Sequence, residues 1–314
     1  MNEDISGASI FLNVLAIVGF IFFARTPPQT TTEIFWIAGA ALTVFGTALA
    51  ALAIKREWVR VLSAALMTGD LPSVQYFFRV KGDYRTIAVI ERDAKGYVVV
   101  AGKDIKTPQD LAGKTVATRV GSTGSWFVSE YLTKNMVDPK TVTVKNLDTQ
   151  VLPAALCGGE IAAFFIWQPV GSRTLEICPD KAHYLSDATG YIQGYLVAGA
   201  RPEWLATPQG KDIATRWLRA TLKGRDVAEK DFQAVAAYAA AKLSLSEKAT
   251  KDQWDTNTRP MAIDKVYYDD FCSLSRWAQG EKATDGPIDF SKLTWGDGLK
   301  AINPKLVDAP PPPC

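Results

Sequence analysis

The chain reads as an α/β protein preceded by two transmembrane helices, and three observations carry that reading. Short β-branched strands alternate with amphipathic helices between residues 85 and 198, the pattern turns almost wholly helical from Pro208 onward, and two uncharged apolar stretches precede Trp58. A chain of 314 residues can build an ample core, so its size demands no metal or disulfide staple. With 35 basic and 33 acidic residues the formal charge is +2, which excludes nucleic-acid binding through bulk charge and an acidic disordered chain. A mean hydropathy of +0.00 averages over unequal parts, an apolar N-terminus and a more polar remainder.

From Ala8 to Ala24 an apolar run is broken only by Ser9 and Asn13, and at about 17 residues it is just long enough to span a bilayer core. Pro27 and Pro28 come next in a turn, and Ile34 to Ile54 then gives about 21 residues without a charge, closed by Lys55, Arg56 and Glu57. Two such stretches around a Pro-Pro turn predict a hairpin of spans over residues 1–55 that contacts lipid through residues 8–54. The acidic start MNEDIS and the lack of a small-residue cleavage pattern argue for retained anchors over a cleaved signal peptide. Lys55, Arg56 and Arg60 favour the cytoplasmic side for the chain beyond the hairpin. If only the second run spans, the rest of the chain lies outside.

Beyond Trp58, strands are expected at Arg85–Ile90, Tyr97–Ala101, Thr115–Arg119, Val142–Leu147, Ala162–Trp167 and Tyr195–Ala198. Helices are expected at Thr107–Ala112, Ser125–Lys134 and Val151–Cys157, with Gly, Pro or Asp at the breaks. The Pro-rich tail, residues 301–314, reads as extended and loose. Neither a dinucleotide-binding glycine fingerprint, a P-loop, a zincin helix nor a serine-hydrolase elbow occurs, and no catalytic residue, metal site or cofactor is expected. His183 is the only histidine and reads as structural. Cys157, Cys178, Cys272 and Cys314 lack zinc spacing. A Cys157–Cys178 bridge fits an oxidising compartment, but buried free thiols are the stronger reading.

The most informative stretch is KTVATRVGSTGSWFVSEYLTKN, residues 114–135, where a β-branched strand runs through Gly121-Ser122-Thr123-Gly124 into a helix. Free backbone N–H groups, the positive end of a helix dipole and two hydroxyls then converge, which suits a small oxyanion. The plainer alternative is that Ser122, Thr123 or Ser125 caps its own helix. Downstream, Asp148-Thr149-Gln150 and Trp167-Gln168-Pro169 also fall at strand ends, where open α/β sheets bind ligands. Trp126 and Trp167 are the tryptophans at these cleft loops.

Together the segments ALMTGDLPSVQ (65–75), VIERDAKGYVVVAGKDIKTPQDLAGKTVATRVGSTGSWFVSEYL (89–132), LDTQVLPAALCGGEIAAFFIWQP (147–169) and GYLVAGARPEW (194–204) resemble the SsuA/TauA/NMT1-THI5-like solute-binding proteins of ABC importers for nitrate, sulfonates and taurine. The resemblance covers about residues 60–290. It implies a two-lobed periplasmic-binding-protein type II fold in which Gly121, Ser122, Thr123, Ser73, Asp148 and Trp167 line the ligand site. The first lobe would take residues 56–101 and 196–300, and the second 102–195. Val59–Thr68 reads as a helix with the hairpin where the family has its first strand, so an incomplete first lobe is expected. The implied role is a membrane-anchored importer component, its domain extracytoplasmic on the inner membrane, that hands a small anionic solute to an ABC permease and its ATPase. The alternatives are a tethered ligand sensor and a thiamine-pyrimidine synthase relative, whose cysteine-rich phrase is absent here.

Overall fold

The computed structural model describes residues 65–243 and 245–314, so the expected hairpin over 8–54 lies outside the described residues. Among the described residues no helix is long and apolar enough to cross a membrane. Strand β1 (Ala65–Gly69) leads straight into α1 (Asp70–Arg79), followed by β2 (Arg85–Asp93) and β3 (Tyr97–Gly102). A single 3-10 turn at Pro108–Leu111 stands in place of the short helix expected there. Then come β4 (Thr115–Thr118), α2 (Thr123–Lys134), β5 (Thr143–Asn146), α3 (Leu152–Cys157), β6 (Ala163–Trp167), α4 (Val170–Ile177), β7 (Ala182–Asp187) and β8 (Gly194–Ala200). The remainder is α5 (Pro202–Ala206), α6 (Pro208–Lys230), α7 (Phe232–Leu243), α8 (Glu247–Thr256), β9 (Asn257–Thr258), α9 (Lys265–Gly280), α10 (Phe290–Leu293) and α11 (Asp297–Lys300).

The strands form two sheets, a four-stranded one in the order β1-β8-β2-β9 and a five-stranded one in the order β5-β4-β6-β3-β7. The chain passes between them twice, from Asp93 to Tyr97 and from Asp187 to Gly194. Strand β3, which the sequence reading assigns to the first lobe, is hydrogen-bonded between β6 and β7 in the five-stranded sheet. Its continuous apolar run reflects burial on both faces. Val98 and Val100 pack with Phe164 and Ile166 against Leu152 and Val170 of α3 and α4, whereas Val99 faces the opposite cluster with Phe165, Phe127 and Tyr131. Edge strand β5 is exposed along its length and carries Lys145, a charge that discourages pairing with another chain.

Three sequence expectations are corrected. From Ala65 the supposed helix Val59–Thr68 is a strand, because Leu66, Met67 and Thr68 pair antiparallel with Gly199, Ala198 and Val197 of β8, and that non-local ladder overrides the helical preference of Ala, Leu and Met. All four cysteines are bridged, Cys157 to Cys178 and Cys272 to Cys314, in place of free thiols. The second bridge also anchors the C-terminus, where Cys314 N–H donates to the Ile288 carbonyl at 3.2 Å and Asp308 N–H to that of Ile263 at 2.9 Å. The tail is irregular but tied down.

Candidate binding cleft

The turn after β4 places the first functional groups. Gly121 has φ +83°, a conformation that side chains rarely adopt, and it lets the chain reverse into α2. Ser122 is the N-cap: its Oγ accepts from Gly124 N–H at 3.1 Å and donates to the Arg119 carbonyl at 2.6 Å. Gly124 lies so close to Thr118 and the Phe165 carbonyl that any side chain would collide with them, and its absence seats the helix N-terminus on the sheet. Thr118 completes the seat by donating to the Phe165 carbonyl at 2.8 Å.

Above this turn lies a cavity of about 210 Å³ between the two sheets. One wall is Met67, Thr68 and Gly69 of β1 with Pro72 of α1, and the other is Ser122 and Thr123. Tyr97, at the start of β3, and half-buried Trp167, at the end of β6, meet edge to face with ring centroids 6.1 Å apart, and Leu196 closes the apolar side. No Lys, Arg, His or Cys is among the lining residues.

One charged group stands behind the wall. Asp70 opens α1 and is fully buried. Its Oδ1 accepts from Leu71 N–H at 2.5 Å and from the Thr123 hydroxyl, and its Oδ2 accepts from Tyr195 N–H at 3.0 Å. The carboxyl therefore sits at the N-terminal ends of two helices, its own α1 and, through Thr123, α2. Despite these donors, burial pushes its pKa up to about 6, with the nearby Asp270 adding to the rise. Burial also raises the Tyr97 phenol, whose hydroxyl reaches Thr123.

Of the residues expected from sequence, the structure brings Ser122, Thr123 and Trp167 to this cavity. Gly121 shapes the turn without lining the cavity. Ser73 is buried inside α1, where its hydroxyl donates to the Asp70 carbonyl at 2.6 Å. Asp148 is exposed and ion-pairs with Arg119 beside the turn. Trp126 is packed in the core rather than at the cleft, and His183 lies on β7 opposite Ala101, outside the lining. Sequence reasoning missed Tyr97, Met67, Pro72, Leu196 and above all Asp70. An acid followed two residues later by proline is a helix-start signal, but a helix assigned to Val59–Thr68 masked it.

The fold has close likenesses among solved structures. The periplasmic aliphatic sulphonate binding protein SsuA from Escherichia coli superposes with a TM-score of 0.61 at 18% identity, over 74% of this chain and 75% of that one. A putative periplasmic sulfonate-binding protein SsuA from Methylobacillus flagellatus KT gives 0.64 at 17% identity, over 81% and 78%. The desulfurization enzyme DszB gives 0.61 at 13% identity, over 77% and 85%. No curated protein matches the sequence. Residues 84–234, which run from the end of the α1–β2 turn through β4, the Gly121–Gly124 turn and β8 into α7, match the model of the NMT1/THI5 like family.

Proposed function

We propose that this protein is the solute-binding component of an ABC importer, anchored to the inner membrane by residues 8–54, which holds a small anionic organic solute between two lobes and presents it to a permease and its ATPase. The observation that carries the reading is the cavity itself. It opens between the sheets at the N-terminus of α2, with the Ser122 and Thr123 hydroxyls on one side and the Tyr97 and Trp167 rings on the other. A volume of about 210 Å³ suits a solute of a few heavy atoms, below the roughly 300–1,000 Å³ of drug-sized sites. The sulfonate-binding relatives support a sulfonate head group with an organic tail against the rings. Two disulfides support an oxidising, extracytoplasmic compartment.

The lobes would be built on the two sheets, with the crossovers at residues 93–97 and 187–194 as the hinge. The Thr123–Asp70 hydrogen bond already joins the two halves here, so opening about these hinges would admit the solute and reclosure would trap it. An enzymatic reading has one observation in its favour, the likeness to DszB. Against it, the cavity lining offers no cysteine, histidine or lysine, and the four cysteines are in disulfides.

Calorimetric titration of the full chain with ethanesulfonate, taurine, nitrate and benzenesulfonate tests the proposal. At least one should bind, and Trp167→Ala should weaken the organic sulfonates about tenfold while leaving nitrate unchanged. Absence of binding by the whole panel would remove this function.

A further inference from the structure

We propose that Asp70 determines which anions the cleft accepts: an oxyanion docks at Thr123 only as the Asp70 carboxyl takes up a proton from solvent. The inference rests on the reading of the cleft as an anion site and adds a condition to it.

Thr123 carries one hydroxyl hydrogen, and in the structure it is directed at Asp70 Oδ1. While Asp70 is ionised it can only accept, so the hydroxyl hydrogen stays on that side and the Thr123 oxygen offers only lone pairs to the Tyr97 hydroxyl and the cavity. Lone pairs repel an oxyanion. A proton on Asp70 Oδ1 reverses the bond: the carboxylic acid donates to Thr123 Oγ1, and the hydroxyl hydrogen is released to donate to the solute. The other two partners of Asp70, the N–H groups of Leu71 and Tyr195, are unaffected, because a protonated carboxyl still has lone pairs for both.

Charge points the same way. The carboxyl is completely buried, and the cavity it backs has no basic side chain in its lining. The groups facing Asp70 from other elements are the Thr123 hydroxyl of α2, the Tyr97 phenol of β3, Tyr195 of β8 and the like-charged Asp270 of α9. Arg92 of β2 is the cation in this neighbourhood, and it is committed to Asp264 at 2.7 Å and to the face of the Tyr195 ring. An anion bound beside an ionised Asp70 would add a second negative charge in a buried space with no cation to offset it. Neutralising Asp70 removes that repulsion, and a carboxyl that titrates at about 6 takes the proton readily near neutral pH.

Ethanesulfonate is the probe, because it has no titratable group in the working range. The full chain is titrated from pH 5 to pH 8 in pairs of amine buffers of different ionisation enthalpy, which carry neither sulfonate nor phosphate. The dependence of the observed heat on the buffer counts protons. The expected result is uptake of about one proton per ethanesulfonate at pH 8, falling towards zero at pH 5, with Kd rising close to tenfold between pH 7 and pH 8. Asp70→Asn, which has no titratable proton at this position, should bind with an affinity that no longer changes between pH 7 and pH 8 and take up no proton. Tight binding without proton uptake, or uptake that persists in Asp70→Asn, would overturn the proposal while leaving the anion site standing. Failure of every sulfonate at every pH would remove the anion site and this inference together. If Asp70→Asn does not fold, the proton count on the natural protein decides alone.

Discussion

The two sheets bury polar groups of different kinds. Around the five-stranded sheet the buried polar side chains include the hydroxyls of Thr118, Ser172 and Thr174, each with a partner that does not titrate between pH 5 and pH 8. Around the four-stranded sheet they include the carboxyls of Asp70 in α1 and Asp93 at the end of β2, with the half-buried Glu91 beside Asp93. Each half has a packed core and a disulfide, but only the four-stranded half adds buried carboxyls whose state depends on protons. A binding protein built this way has one half that acts as a fixed platform and one that can respond to conditions.

The largest effect should come from the platform. Phe165 is fully buried and meets Phe127 and Tyr131 edge to face at 5.3 Å each, so Phe165→Ala should cost about 3–5 kcal/mol in urea unfolding. The comparison requires this loss to be the same at pH 5 and pH 8, and a loss that changed with pH would break it. Next, the Cys157–Cys178 bridge closes a loop of 21 residues between α3 and the end of α4, so the double Cys→Ser variant should lose about 3 kcal/mol, again independently of pH. Reducing agent should reproduce the loss in the natural protein and leave the variant unchanged apart from the effect of the Cys272–Cys314 bridge.

The same division governs what the sequence reveals. Strands β3, β4 and β6 are legible because their β-branched and aromatic runs agree with their surroundings, and the Gly121–Gly124 turn is legible because glycine and hydroxyl residues are what a tight entry into a helix needs. Strand β1 is not legible. Its residues favour a helix, and only pairing with β8, some 130 residues away, makes it a strand. That misreading hid Asp70, since the residue stands at the strand-to-helix junction that the reading lacked. The sequence raises a cysteine pairing only for Cys157 and Cys178 and ranks it below free thiols, because pairing depends on which segments the fold brings together, and spacing does not encode it. Asp148, a polar residue at a strand end, stands outside the cavity lining in an exposed ion pair with Arg119, a pairing its sequence position does not reveal.

In the carboxyl-lined half the expected effect is smaller and depends on pH. Burial pushes Glu91 up to about 7, and Asp93, with the Glu91 charge added to burial, up to about 8. In the unfolded chain both release their protons near pH 4. Between pH 4 and pH 8 the folded state therefore holds protons that the unfolded state has lost, so stability falls as pH rises through this window and levels off above it. The urea midpoint should drop from pH 5 to pH 8 by the equivalent of about 1–3 kcal/mol, with Asp93→Asn removing most of the slope and Glu91→Gln less. A midpoint that rises over this range would show that the pair is ionised and held by Arg259, and the contrast between the halves would fail.

The smallest effect belongs to the Arg119–Asp148 pair, and it sharpens where the fixed platform ends. Both side chains are at least half exposed, at 50% and 67%, so solvent screens their attraction and Asp148→Ala should change stability by less than about 0.5 kcal/mol. The consequence for binding is more instructive. Arg119 also supplies the carbonyl that accepts from the Ser122 hydroxyl, through its backbone, and that bond does not need the ion pair. Asp148→Ala should therefore leave the affinity for ethanesulfonate within about twofold of the natural protein. A tenfold loss would mean that Asp148 reaches the solute after the lobes close, and would extend the site from the α2 N-terminus to the end of β5.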